Sequence, residues 1–350
     1  MKTTMHYFRW SFLITVLGLI AAYWLGWKTE GTASGAVTFL LIGAVLVVLE
    51  ISLSFDNAIV NANKLKTMSP LWQRRFLTWG ILIAVFGMRI IFPLVIVAIA
   101  AWVGPFEALH LAISEPQEYA RLMQESHLSI SAFGGTFLML VALDFFIDHE
   151  KDIDWLCSIE KNLKKGAAIK GLGYGMVLFA ILIFGSFLPE AKQSEFFVPA
   201  LVGAVVFLCV DGLSHILDSS DVVDSGAAMG GARQGTFGAF LYLEVLDASF
   251  SFDGVIGAFA LTQNLFLIAI GLGVGAMYVR SMTIMLVEKK TLNAFRYLEH
   301  GAFYSILALS LIMFAQSAVH VPEVITGLIG AAIIGTSLLS SLRFNRQGKA

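Results

Sequence analysis

The chain has 350 residues, of which 57% are hydrophobic and only 14% charged, and its mean hydropathy is +0.79. A water-soluble domain carries about 25% charged residues, so the composition excludes an ordinary soluble globule and points to an integral membrane protein with the lipid bilayer as its first partner. A net charge of −2 gives no basic surface for nucleic acid.

Taken in chain order, mostly apolar runs near the length that crosses a bilayer, about 20 residues, fall at 8–27, 34–60, 76–103, 128–147, 171–189, 196–217, 236–261, 264–286, 300–316 and 321–342. The pattern predicts an all-α fold, a polytopic membrane bundle of about ten transmembrane helices. The first run follows Lys2 and Arg9 and precedes GTASGA, as a signal peptide would. It is longer than the about 7–15 residues of a signal core. It also ends in Trp24 and Trp27, which suit a membrane interface, so a retained helix is expected over 1–33.

Lysine and arginine are concentrated in cytoplasmic loops. Here Lys64, Lys66, Arg74 and Arg75, then Lys151, Lys161, Lys164, Lys165 and Lys170, then Arg233, then Lys289, Lys290 and Arg296 occupy alternate gaps. Both tails share the bias, with Lys2 and Arg9 at one end and Arg343, Arg346 and Lys349 at the other. The remaining gaps hold only Lys28, Arg121 and Lys192. The expectation is a multi-pass protein of the inner, cytoplasmic membrane with both termini inside, the acidic gap 105–127 outside and the charged linker 149–170 inside. Cys157 lies in that linker and Cys209 in an apolar run, so no disulfide is expected, and no zinc-type Cys/His spacing occurs.

The second run carries EISLSFDNAIVNAN from Glu50, and the seventh carries EVLDASFSFDGVIGA from Glu244. Aligned on Ser-Phe-Asp, Ser52, Ser54, Phe55, Asp56 and Ile59 match Ser249, Ser251, Phe252, Asp253 and Ile256, and Glu50 matches Asp247. The next run in each case contains one arginine, Arg89 in GMRIIFP and Arg280 in MYVRSMT. The second copy comes an odd number of spans after the first and so crosses in the opposite sense. Inverted-topology repeats around a midplane site are a transporter pattern. The domain plan is then an N-terminal helix 1–33, a first repeat half 34–148, a linker 149–170, connecting helices 171–234, a second repeat half 235–342 and a tail 343–350.

With each residue turning about 100° around a helix, Glu50, Ser54, Asn57 and Asn61 share one stripe. Asp247 and Ser251 share the equivalent stripe, with Glu244 beside it. These residues would form a polar path. Asp56 and Asp253 sit about 120° away and join the same site only if the helices unwind there. Carboxylate, carboxamide and hydroxyl oxygens suit hard divalent cations. A carboxylate at a span centre costs about 2.5–3.5 kcal/mol to insert, so acids placed there are functional candidates. A plainer reading has Asp56 and Asp253 pairing with Arg89 and Arg280 to hold helices together. Both hold if an arginine replaces the cation when the site is empty. Asp144 at the end of the fourth run, and Asp211 and His215 at the end of the sixth, are further ligands, a vestibule, or solvated helix ends.

EISLSFDNAIV, LDASFSFDGVIGAFA, the two arginine-bearing runs and FRYLEHGAF make the chain resemble the TerC-like integral membrane family, and most nearly an uncharacterised, domain-of-unknown-function branch of it. The resemblance covers about residues 35 to 316. It implies a link to tellurite resistance and to manganese export by proteins with inverted repeats. Glu50, Asp56 and Asn57 match the first family motif, and Asp247 and Asp253 the second. Gly254 stands opposite Asn57, so the second motif lacks its carboxamide. The expected function is export of a divalent cation, Mn2+ favoured and Mg2+ or Ca2+ possible. The alternative is a non-transporting membrane component of a tellurite or stress-resistance complex. No permanently bound cofactor is expected, and the sequence sets no oligomeric state. No enzyme is expected either: the His-Glu-x-x-His motif is missing, and His215 is the one intraspan histidine considered as a base.

Overall fold

The structure is a computed structural model, and it describes residues 4–80, 82–148, 153–166, 169, 171–224, 237–319 and 321–347. Among these residues every regular element is helical. In chain order they are α1 (Thr4–Glu30), α2 (Ala33–Leu53), α3 (Phe55–Thr67), α4 (Pro70–Arg75), two π-helical segments (Phe76–Gly80 and Ile83–Ile91), α5 (Phe92–Ala101), α6 (Pro105–Ser114) and α7 (Pro116–Glu125). There follow α8 (His127–Ile147), α9 (Cys157–Gly166), α10 (Leu172–Ser186), α11 (Glu190–Asp224), α12 (Phe237–Leu261), α13 (Leu265–Glu288), α14 (Thr291–Ala294), α15 (Leu298–Ala315) and α16 (Glu323–Gln347).

Among the described residues, seven helices are long and apolar enough to cross a membrane: α1, α2, α8, α11 over Glu190–Ser214, α13, α15 and α16 over Ile325–Gln347. An eighth is formed if Pro70–Gly80 and Ile83–Ile99, bent by 41°, make one broken span. The chain is therefore a multi-pass membrane protein. A backbone in lipid must satisfy its own polar groups, and a helix does so within itself. The run at 171–189 yields a helix of 15 residues, α10. The run at 236–261 yields α12, which carries the acids of the second motif. Cys157 and Cys209 are unbridged.

The chain divides into two compact units. The first comprises Met1–Ala58, Arg74–His127 and Phe250–Met285. Its core joins Ala22, Phe39 and Leu46 to Val97, Tyr119, Phe259 and Leu272. Helices α1 and α2 form a hairpin whose turn uses Gly31 at φ 65°, a conformation glycine adopts without a Cβ clash. Thr32 caps α2 by accepting the N–H of Gly35 at 3.0 Å. Serine and threonine tie α1 to α13: Ser11 donates to the Met277 carbonyl at 3.0 Å, and Thr15 meets the Tyr278 hydroxyl at 2.9 Å. Such hydroxyl contacts between helices are a common packing device in lipid.

The second unit comprises Ile59–Gln73, Leu128–Ser249 and Leu286–Ala350. Its centre is α8, 78% of whose spanning window is buried. Gly134 and Gly135 bring α8 against Met313 and Phe314 of α15, so close that a Cβ on either would lie 2.8 Å from those side chains. Phe145 of α8 stacks on Phe303 of α15 at 3.8 Å. The linker is folded onto the same helix. Glu160 of α9 is fully buried and accepts from the backbone N–H groups of Trp155 and Leu156 (3.1 and 2.9 Å) and from the Tyr304 hydroxyl (3.2 Å). His300 donates through Nε2 to the Ile153 carbonyl at 2.7 Å, with the Glu160 carboxylate 3.4 Å away.

Candidate functional site

Within the first unit the first motif interrupts its helix. Helix α2 ends at Leu53, Ser54 takes φ −102° and ψ 17°, and α3 starts at Phe55. Ser, Asp and Asn in succession favour this, since their side chains offer the backbone alternatives to helical bonds. Asp56 uses that option: its Oδ1 accepts the N–H of Asn57 at 2.8 Å. The bonds Ser54 N–H to Glu50 O (3.0 Å) and Ala58 N–H to Ser54 O (3.2 Å) persist, so the interruption is one residue long. Unwinding at the motif was an open condition in the sequence, and a local dislocation is what the first motif contains.

The centre of this site is Glu50, 1% exposed. Its Oε1 accepts from Arg89 Nη2 in a buried ion pair, and from Ser54 Oγ at 3.2 Å. Arg89 also donates through Nη1 to the Ala84 carbonyl at 2.6 Å. That carbonyl belongs to the π-helical segment Ile83–Ile91, which runs into Pro93. A proline ring clashes with the carbonyl four residues earlier and offers it no donor; the widened register lies immediately upstream. The arginine that the plainer reading assigned to Asp56 is thus engaged by Glu50.

Two glycines make room for that carboxylate. A Cβ on Gly254 would lie 3.1 Å from Glu50 Oε2, and one on Gly275 would collide with the Glu50 side-chain stem. The departure noted in the second motif, Gly254 opposite Asn57, therefore has a steric reason in this unit: any larger residue crowds Glu50. Ser54, Asp56, Asn57 and Ser251 are buried. The backbone of Asp253 is helical, and its side chain lies outside the described residues. Arg280 is half-buried, and its Nε finds no hydrogen-bond partner among the described residues.

Helix α12 runs without a break through the second motif, so the two motifs differ in backbone; its residues up to Ser249 belong to the second unit. Glu244 is buried and Asp247 half-buried, three residues apart and close enough to interact electrostatically. Asp144 of α8 and Asp211 of α11 both act electrostatically on the same two phenols, Tyr174 of α10 and Tyr242 of α12. Lys64 Nζ sits 4.9 Å from the centre of the Tyr242 ring, a cation–π contact. Sequence reasoning named the two acids but missed Tyr174, Tyr242 and Lys64; the signal available was their position at the ends of apolar runs that also carry acids. Asn61 Oδ1 and Glu244 Oε1 are buried with no hydrogen-bond partner among the described residues. His215 has a helical backbone, and its side chain lies outside the described residues.

Every polar atom placed here by the motif carboxylates, amides and serines is an oxygen or amide group, a lining that suits a hard cation. Among the described residues, no three His, Cys, Asp or Glu side chains converge to hold a metal ion. No curated protein and no solved structure matches the chain. Residues 55–348 match the family model described as "Protein of unknown function (DUF475)". That match takes in α3 with the latter part of the first motif, both arginines and the whole second motif, and the chain belongs to the DUF475 family.

Proposed function

We propose that the protein is a transporter of a divalent metal cation, an exporter akin to TerC-like proteins, with Mn2+ favoured and Mg2+ or Ca2+ as the alternatives. The observation that carries this reading is the buried Glu50–Arg89 pair beside a helix interruption in an otherwise apolar segment. A buried ion pair contributes little net stability, because desolvation offsets the attraction, so helix packing alone is a weak reason to keep one. In the proposed cycle Arg89 neutralises Glu50 when no ion is present. An arriving dication displaces the guanidinium, and Asp56 and Asn57 add oxygen ligands. Asp253 is a further ligand, and Asp247 is the acid that matches Glu50 in the proposed second, inverted repeat of a bundle of about ten spans. Asp144 and Asp211, with Lys64 as their counter-charge, form a vestibule at the cytoplasmic end. Arg280 plays the counter-charge role in the second copy.

A second reading has one observation in its favour. Arg89 already engages Glu50 in the structure as it stands. That would fit a membrane component that holds a resistance complex together without transporting. Flux of Mn2+, Mg2+ and Ca2+ in proteoliposomes, measured per folded molecule, separates the two. Transport predicts metal-dependent flux that Asp56→Asn and Asp253→Asn abolish. Wild-type flux from both variants, or no flux from the unaltered protein, removes the transporter reading.

A further inference from the structure

Five segments of the chain line one cavity of about 510 Å³ within the second unit. They are the end of α3 at Lys66, α8 at Phe145, the linker at Ile153, the stretch from Leu292 to His300 and the end of α16 at Phe344 and Asn345. The size is that of a small-molecule site, about 300–1,000 Å³. None of these residues belongs to the two Ser-Phe-Asp motifs; Arg296, Glu299 and His300 come from the FRYLEHGAF stretch.

The polar lining favours an anion. Lys66 and Arg296 contribute two cations against one acid, Glu299. Arg296 is held in place, its guanidinium 4.7 Å from the centre of the Phe344 ring. Asn345 is held likewise, donating through Nδ2 to the Ala294 carbonyl at 2.8 Å. Glu299 and His300 lie in the first turn of α15, an 18-residue helix; the N–H groups of Leu298 and Gly301 there bond to the Phe295 and Tyr297 carbonyls, which leaves those of Glu299 and His300. His300 supplies an independent observation. It is 3% exposed, its Nε2 is committed to Ile153, and its Nδ1 has no hydrogen-bond partner among the described residues. With Nε2 donating, Nδ1 offers a lone pair that a hydroxyl or N–H of a ligand would satisfy. Lys66 is exposed and donates to Asn63 Oδ1 at 3.4 Å; desolvation lowers its pKa and Glu299 raises it. Phe145, Phe344 and Leu292 form an apolar wall for the rest of a ligand.

We propose that this cavity binds a phosphate-bearing ligand, with Arg296, Lys66 and the first turn of α15 holding the phosphate. The same chemistry comes from an anionic phospholipid headgroup or from a soluble phosphate ester. The test uses the full chain in neutral detergent and in nanodiscs. Binding is measured with inorganic phosphate and adenosine monophosphate in detergent, and with phosphatidylglycerol against phosphatidylcholine in nanodiscs. Binding of phosphate or the nucleotide assigns a soluble ligand; preference for phosphatidylglycerol alone assigns a lipid. In either case Arg296→Gln and Lys66→Gln should each weaken binding roughly tenfold, the loss of one charge-assisted contact. Glu299→Gln should tighten it, an effect that misfolding would not produce. If no probe binds at millimolar concentration, or if the two cation variants bind as the unaltered protein does, the proposal fails.

Discussion

At the scale of single residues, Glu50 decides most. Removing one partner of a buried ion pair costs about 3–5 kcal/mol, because the other charge is left without compensation. Arg89→Met and Glu50→Leu are each expected to lower thermal stability strongly. The double variant should recover most of the loss while transporting nothing; thermal unfolding alongside flux gives both readouts. If the double variant is no more stable than the singles, the two side chains are not coupled. The cradle yields a finer prediction. Gly275→Ala should destabilise by about 1–3 kcal/mol, the cost of overpacking, whereas Gly254→Ala presses on the carboxylate head and should lower flux more than stability. The sequence announced that Glu50, Asp56 and Asn57 matter, because polar residues in an apolar run are conspicuous. It could not announce that Arg89 engages Glu50, or that Gly254 is a spacer, since both depend on which helices meet.

At the scale of elements, hydropathy located the helices and missed their irregularities. The run at 76–103 gives no hint of the π register at Ile83–Ile91, because side-chain polarity does not encode hydrogen-bond register. Proline was the visible clue. Pro93→Ala restores a donor for the Arg89 carbonyl and should let this stretch relax toward α-helix, rotating Arg89 away from Glu50. The expected outcome is weaker stability coupling between Arg89 and Glu50 in a double-mutant cycle, by about 1 kcal/mol or more. An unchanged coupling energy would show that proline does not set the register. The one-residue interruption at Ser54 was half-legible: the polar cluster suggested a break, and α12, with a similar cluster, has none. Helix propensity does not explain the difference, since Gly254 in the unbroken copy is a poorer helix former than Asn57 in the interrupted one.

For the whole molecule, the lysine and arginine bias predicted that the gaps at 64–75, 149–170 and 287–299 and the C-terminal tail share one side of the membrane. Residues from all four line one cavity of the second unit. Single cysteines at Lys66, Arg296 and Asn345, in a background lacking Cys157 and Cys209, should therefore react with an impermeant reagent from the same side. One at Glu115 should react from the other. Labelling of Lys66 and Glu115 from one side would overturn the orientation and the inverted repeat with it. The all-α, multi-pass class was legible from composition. The number of crossings was less so, because α10 is short and the segment from Pro70 to Ile99 is bent, and a hydropathy window weighs neither length of helix nor angle.

The buried carboxylate of Glu160 bears on how the chain could be cut. The linker is not a slack tether: α9 is anchored to α15 through Tyr304, and the segment before it through the bond from His300 to Ile153. An opening made just after α9, with residues 1–168 and 169–350 produced as separate polypeptides, leaves those contacts available to both pieces. The fragments should co-purify through an affinity tag on either one and carry out whatever the intact chain does. Glu160→Ala should abolish that reassembly while the uncut protein still folds, since covalent continuity no longer compensates for the lost anchor once the chain is split.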